Sequence, residues 1–142
     1  MSEADRREFL RRSGLALGGL AVGSLDLACF ASAPRMKAEV TGSHILFDTA
    51  IPELALSGDA VLLESPLLEY PILLIRLPDG FFSALSTQCT HLGCVVKKEG
   101  TLLRCPCHDS AFDFNGGVLN GPAEVPLRRY PVSNDKIVEI LI

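Results

Sequence analysis

The chain has 142 residues, 48% of them hydrophobic and 21% charged, a size and balance that fit one small globular domain and exclude a disordered polymer. Its formal net charge of −4, with two Tyr, seven Phe and no Trp, supplies neither a cationic footprint nor a base-stacking platform, so nucleic acid is left out. Five Cys and three His remain to be placed.

Asp5-Arg6-Arg7-Glu8-Phe9-Leu10-Arg11 comes first, and residues 14–25 follow as a weakly hydrophobic, Gly-rich stretch. The arrangement resembles a twin-arginine export signal, a receptor-read address that sends folded cargo out of the cytoplasm. Arg6, Arg7, Arg11 and Arg12 could form a solvated helix face instead, but the apolar run behind them argues against it. The expected organisation is an N-terminal signal or membrane-anchor helix over residues 1–33 and a folded domain over residues 34–142. Ala31-Ser32-Ala33 fits a small-x-small cleavage site. Uncleaved, residues 13–33 would be the anchor; residues 15–33 are nearly long enough to span a bilayer, but Asp26 puts a costly carboxylate inside them. Asp26 also spoils the lipobox that Leu27-Ala28-Cys29 suggests. Export with cleavage or loose tethering is the expectation.

Past Pro34, short apolar or alternating runs predict strands over 36–40, 61–64, 72–77, 81–85, 101–104, 124–130 and 137–142, separated by Gly, Pro, Asp or Asn. Asp79-Gly80 and Asn115-Gly116 are turn signals between such runs. The pattern reads as an all-β antiparallel sandwich or small barrel, in which any helix within 51–58 is short and His44 is a loop residue in a polar turn. Lys97-Lys98-Glu99-Gly100 is expected as the turn of a hairpin.

Two boxes flank that hairpin: Cys89-Thr90-His91-Leu92-Gly93-Cys94 and Cys105-Pro106-Cys107-His108-Asp109-Ser110. Cys89 and His91 are two apart, so in an extended segment both side chains leave from one face. Cys105 and His108 are three apart around Pro106, which suits a turn closing on one point. Together they offer two thiolates and two imidazoles, with one further cysteine in each box.

These boxes resemble those of the Rieske iron-sulfur proteins, in which a 2Fe-2S cluster has cysteines on one iron and histidines on the other. The resemblance runs from Asp79-Gly80 to the C-terminus through Phe112-Asp113, Gly116-Gly117, Gly121-Pro122-Ala123 and Pro126-Leu127. It implies one 2Fe-2S cluster per chain, with Cys89 and Cys105 as thiolate ligands and His91 and His108 as imidazole ligands. It further implies that Ser110 donates a hydrogen bond to a bridging sulfide and that Gly121-Pro122-Ala123 covers the cluster's third side. Cys94 and Cys107 would form a disulfide between the loops, a closure worth roughly 3 kcal/mol in the chain-entropy model. The implied fold is a Rieske-like antiparallel sandwich with a two-loop cluster-binding tip. A structural zinc site also uses two Cys and two His, but calls for neither the extra cysteine pair nor the Gly-Pro-Ala loop. A disulfide-only secreted domain leaves both histidines without a role.

The resemblance implies electron transfer, with no catalytic residue in the chain itself. Imidazoles in place of two thiolates raise the potential into a range of roughly −150 to +300 mV, and their second nitrogens can couple reduction to protonation. Expected partners are a cytochrome or larger oxidoreductase subunit, with a quinol as the further candidate. The expected site of action is the periplasm or the outer face of the cytoplasmic membrane. Three classes follow: a relay or small subunit of an oxidoreductase, a quinol-oxidising subunit of a cytochrome bc-type complex, or a ferredoxin of a ring-hydroxylating oxygenase. The disulfide and export signal oppose the third, and the short linker before residue 36 tilts towards the first by leaving little room for a hinge. Residues 92–104 form a shorter insert than most relatives carry. Phe112 stands where high-potential members have tyrosine and Asp109 where glycine is usual; both departures should lower the potential.

Overall fold

The computed structural model describes residues 32–142. The export motif and the expected signal or anchor helix lie outside these residues. Among the described residues no helix is long and apolar enough to cross a membrane.

The architecture is all-β. Strands β1 (Arg35–Lys37), β4 (Ala60–Glu64), β5 (Ile72–Arg76), β6 (Phe82–Ser86) and β11 (Arg129–Tyr130) form one sheet in the order β1-β4-β5-β6-β11. Its pairings are antiparallel except for β1 with β4, which is parallel. A three-stranded sheet of β2 (Val40–Thr41), β3 (His44–Asp48) and β12 (Ile137–Leu141) packs on one side. On the other lies a four-stranded sheet of β7 (Lys97–Glu99), β8 (Leu102–Arg104), β9 (Ala111–Phe112) and β10 (Val118–Asn120).

Being covered on both faces explains why β5 reads Ile-Leu-Leu-Ile rather than alternating with polar residues. Ile72 and Leu74 enter one core with Ile45, Val138 and Ile140. Leu73 and Ile75 point the opposite way, into a second core with Leu103, Phe112, Cys89 and Cys105. Each such fully buried aliphatic side chain contributes about 1.5–3 kcal/mol of burial. The second core supports the tip.

Several expected boundaries move. The run 36–40 splits into β1 and β2. His44 is not in a loop: it opens β3 opposite Leu141, with Nδ1 2.7 Å from Glu139 Oε1. The hairpin that places it is Gly42-Ser43, with Gly42 at φ +63. Lys97–Glu99 is a strand rather than a turn; the chain reverses one step later, at Gly100 and Thr101. Of 124–130 only Arg129–Tyr130 is strand, because Pro126 has no N–H for a ladder, Ala123 N–H donates to Ser110 Oγ, and Leu127 N–H donates to the Gly116 carbonyl. The 51–58 region holds only a 3-10 turn at Pro52–Leu54.

Candidate metal centre

The two boxes fold alike. In the first, Cys89 N–H donates to the Cys94 carbonyl and Gly93 N–H to the Cys89 carbonyl, both at 2.8 Å. In the second, Cys105 N–H donates to the Ser110 carbonyl at 2.8 Å and Asp109 N–H to the Cys105 carbonyl at 3.0 Å. The offsets are the same, and the fifth residue of each turn is left-handed: Gly93 at φ +78 and Asp109 at φ +60. Glycine takes that conformation freely; aspartate is one of the few other residues that tolerates it.

This repeat brings the box residues together at one end of the molecule. Cys89 and Cys105 are unpaired thiols, 2% and 1% exposed. The rings of His91 and His108 meet edge to face with centroids 4.8 Å apart. His108 is exposed and His91 half-buried. Cys94 and Cys107 form the disulfide, with Cα atoms 6.5 Å apart, and the Cys105 sulfur lies within 4.8 Å of both their sulfurs. The β7–β8 hairpin and this bond together tie the end of the first box to the second.

A third segment closes over them. Ala123 N–H donates to Ser110 Oγ at 3.0 Å, Thr90 Oγ1 donates to the Val125 carbonyl at 2.7 Å, and Asn120 Nδ2 reaches the Asp109 carbonyl at 3.4 Å. The Gly121-Pro122 peptide within it is cis. Ser110 is fully buried, and its hydroxyl also reaches the Cys89 sulfur. Thr90, Asn120 and Val125 were not legible as supports, although Thr90 sits inside the first box.

The electrostatics match a metal site. Burial pushes the Cys89 thiol above its ordinary value; the His91 backbone N–H and the Ser110 hydroxyl oppose this. Without a cation the thiol stays protonated, so metal binding there releases a proton. His91 Nδ1 is shielded from water and has no hydrogen-bond partner among the described residues. Two buried thiols, and in the first box a shielded imidazole nitrogen without a partner, fit a cluster with mixed sulfur and nitrogen donors.

Over residues 51–131 the chain matches the model of the Rieske [2Fe-2S] domain. It is 38% identical over 55 residues to the cytochrome b6-f complex iron-sulfur subunit of Chlorobaculum tepidum, a match covering 37% of this chain and 30% of that protein. The corresponding subunit of Parasynechococcus marenigrum is 35% identical over 85 residues, covering 56% and 48%. Each match thus spans less than half the length of the relative. Among solved structures, the cyanobacterial plasma membrane Rieske protein PetC3 from Synechocystis aligns with TM-score 0.52 and 28% identity, over 58% of this chain and 86% of that one. Both boxes fall inside the matched segment, and the chain belongs to the Rieske [2Fe-2S] domain family, whose cofactor is a 2Fe-2S cluster.

Proposed function

We propose that the protein passes single electrons on the outer side of the cytoplasmic membrane, as a tethered relay or as the small subunit of a larger oxidoreductase. The observation that carries the reading is the convergence of Cys89, His91, Cys105 and His108 at a tip where the His108 ring is exposed. When bound, the cluster supplies a one-electron couple in the range of roughly −150 to +300 mV. Cys89 and Cys105 would hold it from the buried side and His91 and His108 from the surface. Ser110 orients the Cys89 sulfur, the disulfide fixes the spacing of the boxes, and the segment around Ala123 keeps water from the buried side. Exposed His108 offers the shortest route to a docked partner.

The N-terminal junction bears on how the domain is tethered. Ala33 is 7% exposed within the tip-side core, the Pro34 carbonyl accepts from Leu62 N–H at 2.8 Å, and β1 pairs with β4 from Arg35. Residues 33–37 are thus built into the fold and leave no hinge there. A peptidase acting on folded cargo would have to reach a bond inside the domain, which favours retention of the N-terminal segment. The quinol-oxidising alternative draws support from the b6-f subunits among the relatives, but its swinging motion would need a hinge before residue 33.

Changing Arg6 and Arg7 together to Lys should strand the protein in the cytoplasm, because the pair is read by a receptor rather than by charge. Cell fractionation with N-terminal sequencing checks this. Normal export of the double variant would contradict the twin-arginine route, and a mature N-terminus at Pro34 would contradict the tether.

A further inference from the structure

We infer that the cleft beside the first box is an anion-binding site that takes a carboxylate from an acidic segment of the redox partner. The inference rests on the electron-transfer reading above and names the chemistry of the partner that docks beside the same tip.

The cleft holds about 500 Å³, and its lining includes Cys89, His91 and Gly93 of the first box together with Tyr70, Gln88 and Arg128. Arg128 is fixed at its backbone, whose carbonyl accepts from Ser86 N–H at 2.9 Å. Its guanidinium lies 4.6 Å above the Tyr130 ring. A guanidinium stacked on an aromatic face keeps its edge donors free, and such a planar fork can grip a carboxylate with two parallel hydrogen bonds. Arg35 and Arg104 each have a glutamate partner, whereas among the described residues no carboxylate lies within ion-pair distance of Arg128 and none lines this cleft.

Tyr70 and Gln88 supply more donors. A Cβ built on Gly93 would stand 3.3 Å from Tyr70 Oη and 3.8 Å from Gln88 Nε2. The missing side chain at Gly93 therefore lets a phenol and a carboxamide close on the cluster loop itself. Guanidinium, phenol and carboxamide are all donors, and together they select an oxyanion. An acid seated there touches the loop that carries Cys89 and His91, so the contact that gives charge complementarity also brings the partner to the electron exit.

The two tyrosines of the chain, Tyr70 and Tyr130, both report on this place, one in the wall and one beneath Arg128. The full-length, cluster-loaded protein labelled with 3-fluorotyrosine gives two fluorine resonances, assigned with Tyr70→Phe. A capped hexaglutamate peptide should shift both saturably, a hexalysine peptide neither. Arg128→Gln should weaken peptide binding at least about tenfold, the scale of a lost charge-assisted pair, while Arg128→Lys weakens it less and Arg35→Gln leaves it unchanged. Inorganic phosphate binding as tightly as the peptide would assign the site to a free oxyanion and overturn the partner assignment. No saturable shift with either probe, or equal affinity in Arg128→Gln, would overturn the site. Iron and labile sulfide measured on the same samples separate loss of the cluster, which contradicts the electron-transfer reading, from loss of anion binding, which contradicts this one.

Discussion

Among the described residues Asp109 is the one non-glycine with a left-handed backbone. Gly93 holds the equivalent left-handed position in the first box at no steric penalty, whereas Asp109 at φ +60 bears part of the roughly 1–2 kcal/mol that a side chain meets there. Its carboxylate is 78% exposed and 3.8 Å from Arg104 Nη1, too open a pair to offset much. Asp109→Gly should therefore leave stability equal or raise it by up to about 1 kcal/mol, and Asp109→Val should lower it by at least as much. Asp109→Gly should also raise the potential by removing a negative charge beside His108. Denaturant melts and voltammetry at one pH check both effects. Phe112 is the other informative departure, fully buried in the core that contains Cys89 and Cys105. Phe112→Tyr should raise the potential by roughly 40 mV if its hydroxyl donates about 1 kcal/mol more strongly to a ligand sulfur in the reduced state. Without such a partner the buried phenol would cost about 1–3 kcal/mol, so a drop in melting temperature with an unmoved potential would show that residue 112 faces elsewhere. The two boxes were legible because Cys and His in close register have few other uses; the left-handed turn at residue 109 was signalled only weakly, by an aspartate standing where glycine is usual.

At the level of elements, the tip is two copies of one turn, joined by the β7–β8 hairpin and the Cys94–Cys107 bond. The bond constrains the boxes without occupying a donor position. Cys94→Ser with Cys107→Ser should assemble a cluster that is lost at lower temperature, with stability reduced by about 2–4 kcal/mol and a lower potential. Cluster absorbance followed through a thermal ramp, alongside voltammetry, measures this, and an unchanged midpoint would mean that the bond contributes nothing. The strands most visible in the sequence were those buried on both faces, as in β5, because an unbroken apolar run bounded by turn residues has one simple reading. β9 and β10 escaped notice because they are only two and three residues long and are set by the Asp113 turn, in which Oδ1 accepts from Asn115 N–H and Gly117 N–H at 2.8 Å. β3 was missed for a different reason: His44 at its start looks polar, while the Gly42-Ser43 hairpin before it carries the real signal. The 124–130 run looked like a strand from its ends, yet Pro126 lacks a donor and the Leu127 N–H is committed to the Gly116 carbonyl, just after Ala123 N–H is committed to Ser110.

Across the whole molecule, a sheet covered on both faces supports a tip whose candidate donors come from separate loops, and the two cysteines of the set are seated in the second core while the histidines stand outside it. That division explains why the site was readable from two short boxes while the cleft at Arg128 was not: Tyr70, Gln88 and Arg128 are brought together only by the pairing of β6 with β11 and the turn at Gly93. The central claim is that this tip holds a 2Fe-2S cluster through Cys89, Cys105, His91 and His108. The most direct measurement is iron and acid-labile sulfide analysis of the purified protein, joined to electron paramagnetic resonance of its reduced form with nitrogen couplings resolved. The account predicts two irons and two sulfides per chain, a rhombic signal, and couplings to two imidazole nitrogens that fall to one in His108→Cys. Stoichiometric zinc without labile sulfide, or a reduced cluster with no nitrogen coupling, would contradict it.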